Sequence, residues 1–415
     1  MSIISKLEAK EILDSRENPT VFVSCTLQGG VQGTASVPSG ASTGKYEAYE
    51  LRDGDMKKFG GKGVSHAIEN VNKEISTFLL GKELNQNTLD ESLINLDGIK
   101  NKKRLGANAI LAVSLAFARA CANEKGIPLY EHLADVHFEN KNKRIYTIPE
   151  PAFNIIEGGK HSDSGLSFQE FMLIPKEFKT METKLRVVNE IITSLQDRLL
   201  KEKQSITMGD EGGFAPKLSS NEKVLEYLED AIVSAGYDTD QVKLGIDVAA
   251  TTFFKDNRYS LENRMLNTED MLIMYEYLCS RYKIISIEDG LNEEDFEGFA
   301  EMNRKLGETI NIVGDDLTVT NVERIKKAIQ NKSINTIVIK PNQIGTLSET
   351  FQAIKIAKEN DIKIFVSHRS GETNDTFIAD LAVAIGADFI KAGAPTRKER
   401  IAKYNRLIEI ENNFK

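Results

Sequence analysis

The 415-residue sequence predicts an α/β protein of two parts, a parallel (β/α) barrel preceded by a smaller α+β domain. Three observations lead there. Short β-branched runs recur through the last two thirds of the chain, each ending in a charged residue: Ser205–Glu211, Val242–Asp247, Ile284–Glu288, Asn311–Asp315, Thr336–Lys340, Ile362–Arg369 and Ala387–Lys391. Helical patterns separate these runs, the alternation that builds a parallel sheet. A barrel uses about 250 residues, so a chain of this length leaves an N-terminal remainder of domain size.

The opening reads as antiparallel strands, with Ile12–Thr20 leading into Val21–Leu27 and Gly29-Gly30 supplying a turn. Helical stretches follow Pro38–Gly44. The clearest, Asn108–Cys121, is apolar nearly all round and is expected between other elements. The polar stretch Glu139–Arg144, with Pro149 and Pro151 beyond it, is the expected inter-domain connection, dividing the chain into residues 1–140 and 141–415. In the second part Ala402–Glu411 reads as the closing helix of the barrel.

Composition excludes several function classes. With 40% apolar and 28% charged residues and no low-complexity tract, the chain reads as a globular protein. No apolar segment reaches the roughly 18 residues of a membrane span, and the first ten residues are too polar for a signal peptide; a cytoplasmic location is expected. Cys25, Cys121 and Cys279 are odd in number and lack C-x-x-C spacing, so buried reduced thiols are expected instead of disulfides or a zinc site. A net charge of −9 without a basic stripe argues against nucleic acid. An anionic substrate would require a locally positive site.

The strand-end charges suggest what such a site would contain. Asp247, Glu288 and Asp315 end three consecutive strand units, and hard oxygen ligands without histidine or cysteine suit Mg²⁺. Taken singly, each could be a cap or an ion-pair partner. Their sequence neighbours Asp289 and Asp316 are expected to point elsewhere, since adjacent strand residues face opposite ways. Lys340 follows an apolar run, where desolvation and nearby cations would lower its pKa and make it a base; a lysine that snorkels from the mouth is the other reading. Glu211 lies in a glycine-rich turn across the mouth. Arg369 and Ser370 offer a guanidinium fork and a hydroxyl for a phosphate, with Lys391 as a second cation. The loops Ser39–Gly44 and Glu157–Gly165 have the glycine content of lids.

These residues belong to blocks that resemble the enolase family from end to end. The blocks are Val37–Gly44, Glu50–Asp55, Leu105–Leu111, Phe168–Met172, Gly209–Phe214, Ser286–Asp289, Gly314–Leu317, Lys340–Thr346, Ser367–Thr373 and Gly393–Pro395, in the family's order. The resemblance implies a (β/α)8-type barrel of the enolase kind with an N-terminal α+β domain. It implies reversible dehydration of 2-phospho-D-glycerate to phosphoenolpyruvate with two Mg²⁺ per active site, the second arriving with substrate; lysine or histidine bases with Mg²⁺ are a known pairing of that superfamily. Lys340 would be the base and Glu211 the acid, supported by Glu170. Asp247, Glu288 and Asp315 would hold the first metal, and the backbone of Ser39 the second. Arg369, Ser370 and His161 would bind the phosphate, with Lys391 against the carboxylate. A homodimer or larger homo-oligomer is also implied.

The chain departs from the family pattern at Glu17 (usually glycine), Glu157 (asparagine), Ser162 (alanine), Thr252 (glutamate) and Ala392 (threonine). Phe22 and Glu409 stand where subunit-contact residues are frequent. Two alternatives follow: a diverged paralogue acting on a related phospho- or phosphono-substrate, or a non-catalytic interaction role.

Overall fold

The computed structural model describes residues 1–41, 44–138 and 146–414. The expected domain boundary near residue 140, the connection Glu139–Arg144, and Ser42 and Thr43 of the first glycine-rich loop lie outside the described residues.

Antiparallel strands open the chain as expected. Strands β1 (Ser2–Leu13), β2 (Pro19–Leu27) and β3 (Gln32–Ser36) form a meander, and the short β4 (Glu83–Leu84) pairs with the outer edge of β1, for a sheet order β3-β2-β1-β4. Glu17, in the β1–β2 connection, adopts φ 60, a left-handed conformation that glycine takes without steric cost. The apolar stretch becomes the helix Ala107–Lys125, which is buried on nearly every side and packs on β2 and β3. Contact there is backbone to backbone. A Cβ added at Gly33 of β3 would stand 2.1 Å from Ala120 N and 2.4 Å from Ala116 O, so only glycine lets the strand lie on the helix.

Eight strands close the barrel: β5 (Glu150–Glu157), β6 (Glu170–Pro175), β7 (Val242–Asp247), then β11 (Ile284–Glu288), β12 (Asn311–Gly314), β13 (Thr336–Ile339), β14 (Lys363–Ser367) and β15 (Phe389–Lys391). Between them β8 (Phe254–Lys255), β9 (Arg258–Leu261) and β10 (Arg264–Leu266) form a separate three-stranded sheet. The barrel interior is filled by Ala152, Met172, Ile174, Val313, Val338, Phe365 and Phe389, alternate inward residues of neighbouring strands. The last helix, Lys398–Asn413, closes the ring.

The barrel corrects the sequence reading twice. The run Ser205–Glu211 is not a strand; it is a loop with one bridge between Met208 and Phe214, because Gly209 and the Gly212-Gly213 pair after it turn the chain back before a ladder can form. The first two barrel strands are instead β5, which includes Pro151, and β6. Strand β6 runs antiparallel to both neighbours, so the barrel is not wholly parallel. A short connection from β5 to β6 permits this reversal, whereas a parallel pair needs a long crossover.

Candidate active site

Register builds the mouth. Glu157 pairs with Glu170, Glu170 with Asp247, and Asp247 with Glu288, across β5, β6, β7 and β11. Glu288 also pairs with Val313 of β12, two residues before Asp315. On the other side Ser367 pairs with Lys391, and Ile339, which precedes Lys340, pairs with Val366. The reversal of β6 places its first residue, Glu170, at the end where its neighbours finish.

Lys391 is buried among the acids. Its Nζ donates to Glu170 Oε2 at 2.8 Å and to both oxygens of Glu288 at 2.9 and 2.8 Å, and lies 3.5 Å from Asp247 Oδ2. Burial opposes its charge, but Glu170, Glu288 and Asp247 outweigh that and hold the ammonium well above its ordinary range. Lys340 pairs with Asp315 Oδ2, while Gln343 Nε2 donates to Asp315 Oδ1 at 2.8 Å. The expected lowering of the Lys340 pKa is not found. Burial, Arg369 and Lys391 push it down, yet the Asp315 contact raises it above its ordinary value. Thr320 supports both groups, donating to Gln343 Oε1 at 2.8 Å and accepting the Lys340 N–H at 3.0 Å. It does so from φ 52, next to Val319 at φ 43, and left-handed β-branched residues cost on the order of 1–3 kcal/mol each.

Across the cavity, Glu211 Oε2 accepts from Asn154 Nδ2 at 2.9 Å and lies 3.2 Å from His368 Nε2. His161 Nδ1 stands 3.4 Å from Glu170 Oε1 and 3.7 Å from Glu211 Oε1. Burial pushes His368 down to about 3 and lowers His161, so both rings are neutral near pH 7. Glu170 is held well above the carboxylate range by burial and by Glu211. Two carboxyls this close, away from water, retain one proton between them. In this arrangement Glu170 carries the proton and Glu211 the charge.

Arg369 is buried beside this cavity. Its guanidinium meets Glu47 at 2.9 and 3.2 Å and donates to Asn342 Oδ1 at 3.1 Å. Ser370 Oγ accepts the N–H of Ala41 at 2.6 Å. Ser39 exchanges both main-chain hydrogen bonds with Gly371 at 2.8 Å, and its hydroxyl donates to Asp14 at 2.9 Å. The described part of the first glycine-rich loop therefore lies on the barrel mouth. The structure gathers His161, Glu170, Glu211, Lys340, Arg369, Ser370 and Lys391 around one polar cavity. Ser39 instead contacts the Asp14 loop and Gly371.

Asp289 and Asp316 do not point away. Asp289 accepts the N–H groups of Asp315 and Asp316 at 3.0 and 2.7 Å, and Asp289, Asp315 and Asp316 each bring a possible ligand oxygen within 4.8 Å of the others. Alternation fails because Asp289 has left the strand, at φ 43. Asp247, Glu288 and Asp315, at or just past the ends of adjacent strands, supply only hard oxygen donors, the chemistry a hard dication takes, although it is Asp289, Asp315 and Asp316 whose ligand oxygens lie close together. Burial, Asp247 and Asp315 push Glu288 up to about 8, a crowding of like charge that a cation relieves.

Sequence reasoning missed Asn154, Gln343, Glu47 and the contact between His368 and Glu211. Asn154 carried a usable signal, an amide inside the apolar run Ala152–Ile156, since a fully buried amide needs a specific partner. Glu47 carried none.

Comparison with known proteins accounts for both halves. The family described as "Enolase, N-terminal domain" matches residues 4–133, and "Enolase, C-terminal TIM barrel domain" matches residues 145–415. The protein named Enolase from Campylobacter lari is 48% identical over 412 residues, covering 99% of this chain and 97% of its own length. Proteins of the same name from two Campylobacter jejuni strains match at 48% over the same span. With both family domains matched in order and nearly the full length shared at that level, the chain belongs to the enolase family.

Proposed function

We propose that this chain is a hydro-lyase catalysing the reversible dehydration of 2-phospho-D-glycerate to phosphoenolpyruvate in glycolysis and gluconeogenesis. The observation that carries this reading is the placement of Lys340 and Glu211 around one polar cavity, each with its own proton-holding partners. Lys340 Nζ takes the proton from C2. The electron pair released forms the C2–C3 double bond, the C3–oxygen bond breaks, and Glu211 gives a proton to the departing hydroxyl, which leaves as water. The proton held between Glu170 and Glu211 is the reserve for that step. Arg369 and Ser370 grip the phosphate, with His161 closing on it, and Lys391 faces the carboxylate.

Asp247, Glu288 and Asp315 would hold one Mg²⁺ and the Ser39 carbonyl would meet a second. When bound, such ions would supply positive charge to the substrate carboxylate, which bears a second negative charge after proton removal, and would compensate Asp315 beside Lys340. Burial, Arg369 and Lys391 already oppose the charge on Lys340. A cytoplasmic location and a homo-oligomeric state belong to the same reading. Among the described residues no helix is long and apolar enough to cross a membrane.

The test adds purified protein to 2-phosphoglycerate and follows the ultraviolet absorbance of the enol double bond. Absorbance should rise with Mg²⁺, stop on chelation and resume when Mg²⁺ is restored. Turnover unaffected by chelation would sink the reading of the carboxylate trio. Folded protein that leaves this substrate unchanged would sink the assigned reaction.

A further inference from the structure

The end of β5 holds a group that the proposed reaction does not use. Glu157 is fully buried, and its carboxylate accepts the main-chain N–H of Glu211 at 3.1 and 3.0 Å and that of Gly213 at 2.6 Å. Its own backbone is engaged as well. The Glu157 N–H donates to Phe214 O at 2.9 Å, and its carbonyl accepts from Ser162 Oγ at 2.7 Å. One residue thus fastens both the turn that carries Glu211 and the loop that carries His161.

The turn is built around this carboxyl. A Cβ added at Gly209 would stand 2.3 Å from Glu157 Oε2. Oε1 accepts both N–H groups and Oε2 takes that of Glu211 a second time, so a carboxylate presents an acceptor at both positions, whereas a glutamine amide of the same shape would set its NH₂ against the Glu211 N–H. Such a placement is costly, with a second acid nearby: burial and Glu211 push Glu157 up to about 8.

We propose that Glu157 is a positioning residue for Glu211, its carboxyl clamping the 209–213 turn from behind. The role rests on the reading of Glu211 as the acid that protonates the departing hydroxyl. Its effect is also electrostatic. Glu170 faces Glu157 from β6, His161 from the adjoining loop, and Arg400 from the last helix; His368 lies beyond Glu211. Arg400 is the cation that favours a charge on Glu157, and its guanidinium is already committed to His368 Nδ1 and the Arg369 and Ser370 carbonyls, each at 2.7 Å. An ionised Glu157 raises the proton affinity of Glu211 and so favours passage of the shared proton from Glu170 onto the acid, holding it there to higher pH.

The experiment compares two reactions of the intact protein with 2-phosphoglycerate and Mg²⁺: exchange of the C2 proton with solvent, which reports Lys340, and dehydration, which also needs Glu211. In Glu157→Gln, nearly the same shape, exchange should stay within about twofold while the dehydration kcat falls roughly tenfold to a hundredfold with little change in KM. The alkaline limb of the dehydration profile should move down by about one pH unit. Gly209→Ala, which presses a methyl on Oε2, should give the same split. Unchanged dehydration and pH profile in both variants would overturn the role of Glu157. So would parallel loss of exchange and dehydration, which marks general loosening of the site. A wild-type protein that catalyses neither reaction overturns the functional reading itself.

Discussion

In the proposed reaction Lys340 and Glu211 have separable duties, and their surroundings explain why. Lys340 is held by Asp315, Thr320 and the barrel rim, whereas Glu211 is held by Asn154 and Glu157 and flanked by the two histidines. No hydrogen bond joins the two sets directly among the described residues. Lys340→Ala is therefore expected to abolish C2 proton exchange, while Glu211→Gln retains exchange and loses dehydration by about 10²–10⁴-fold; proton nuclear magnetic resonance in deuterated water distinguishes them. Exchange surviving in Lys340→Ala would assign the base elsewhere. The strand-end charges made Lys340 legible in the sequence, but its charge state was not. Whether a buried lysine rises or falls in pKa depends on four neighbours brought from separate strands, and here Asp315 prevails over burial.

At the scale of elements, packing and titration make distinct predictions in the N-terminal domain. Strand β3 lies on the backbone of the helix Ala107–Lys125 at Gly33. A methyl there must separate the two elements, so Gly33→Ala should destabilise the protein by about 3 kcal/mol, read from denaturant unfolding. The helix Leu129–His137 carries buried His132, whose Nδ1 meets Lys125 Nζ at 3.1 Å. Burial and Lys125 push His132 down from 6.5 to about 4. The unfolded chain then binds a proton that the folded one refuses, so stability falls as pH drops from about 6.5 to about 4, by on the order of 3 kcal/mol. His368 adds a change of the same sign. His132→Gln should flatten part of that decline in melting temperature against pH; an unchanged slope would show that His132 titrates alike in the folded and unfolded chain. The apolar helix was legible from its composition, but the bare backbone contact at Gly33 was not, since sequence does not say which strand residue faces the helix.

Across the whole molecule, the two domains share one site and one interface. Glu47 and Ser39 from the N-terminal domain meet Arg369 and Gly371 of the barrel. Farther out, Arg119 holds Asp375 at 2.8 and 3.0 Å, while Asp375 also accepts the Ser36 N–H at 3.0 Å. Removing one partner of this half-buried pair leaves the other charge poorly compensated. Arg119→Met should therefore cost about 1–3 kcal/mol and, with the two domains tied at this point, should lower one shared calorimetric transition instead of splitting it. A separate early transition would mean that the domains unfold independently.

The sequence by itself determined the barrel, the order of charges along its mouth and the chemistry those charges suit. These are local properties: a β-branched run ending in Asp247, Glu288, Asp315, Lys340 or Lys391 reads the same wherever the strand lies. The resemblance to known blocks added Glu170 and His161 as site residues. Tertiary structure alone decided that β6 runs backwards, which carries Glu170 to the mouth, that Lys391 sits among three acids, and that Glu157 reaches under the Glu211 turn. Those outcomes depend on register and closure, which set distances between residues far apart in the chain, and Coulomb and desolvation energies follow distance and burial, not sequence position.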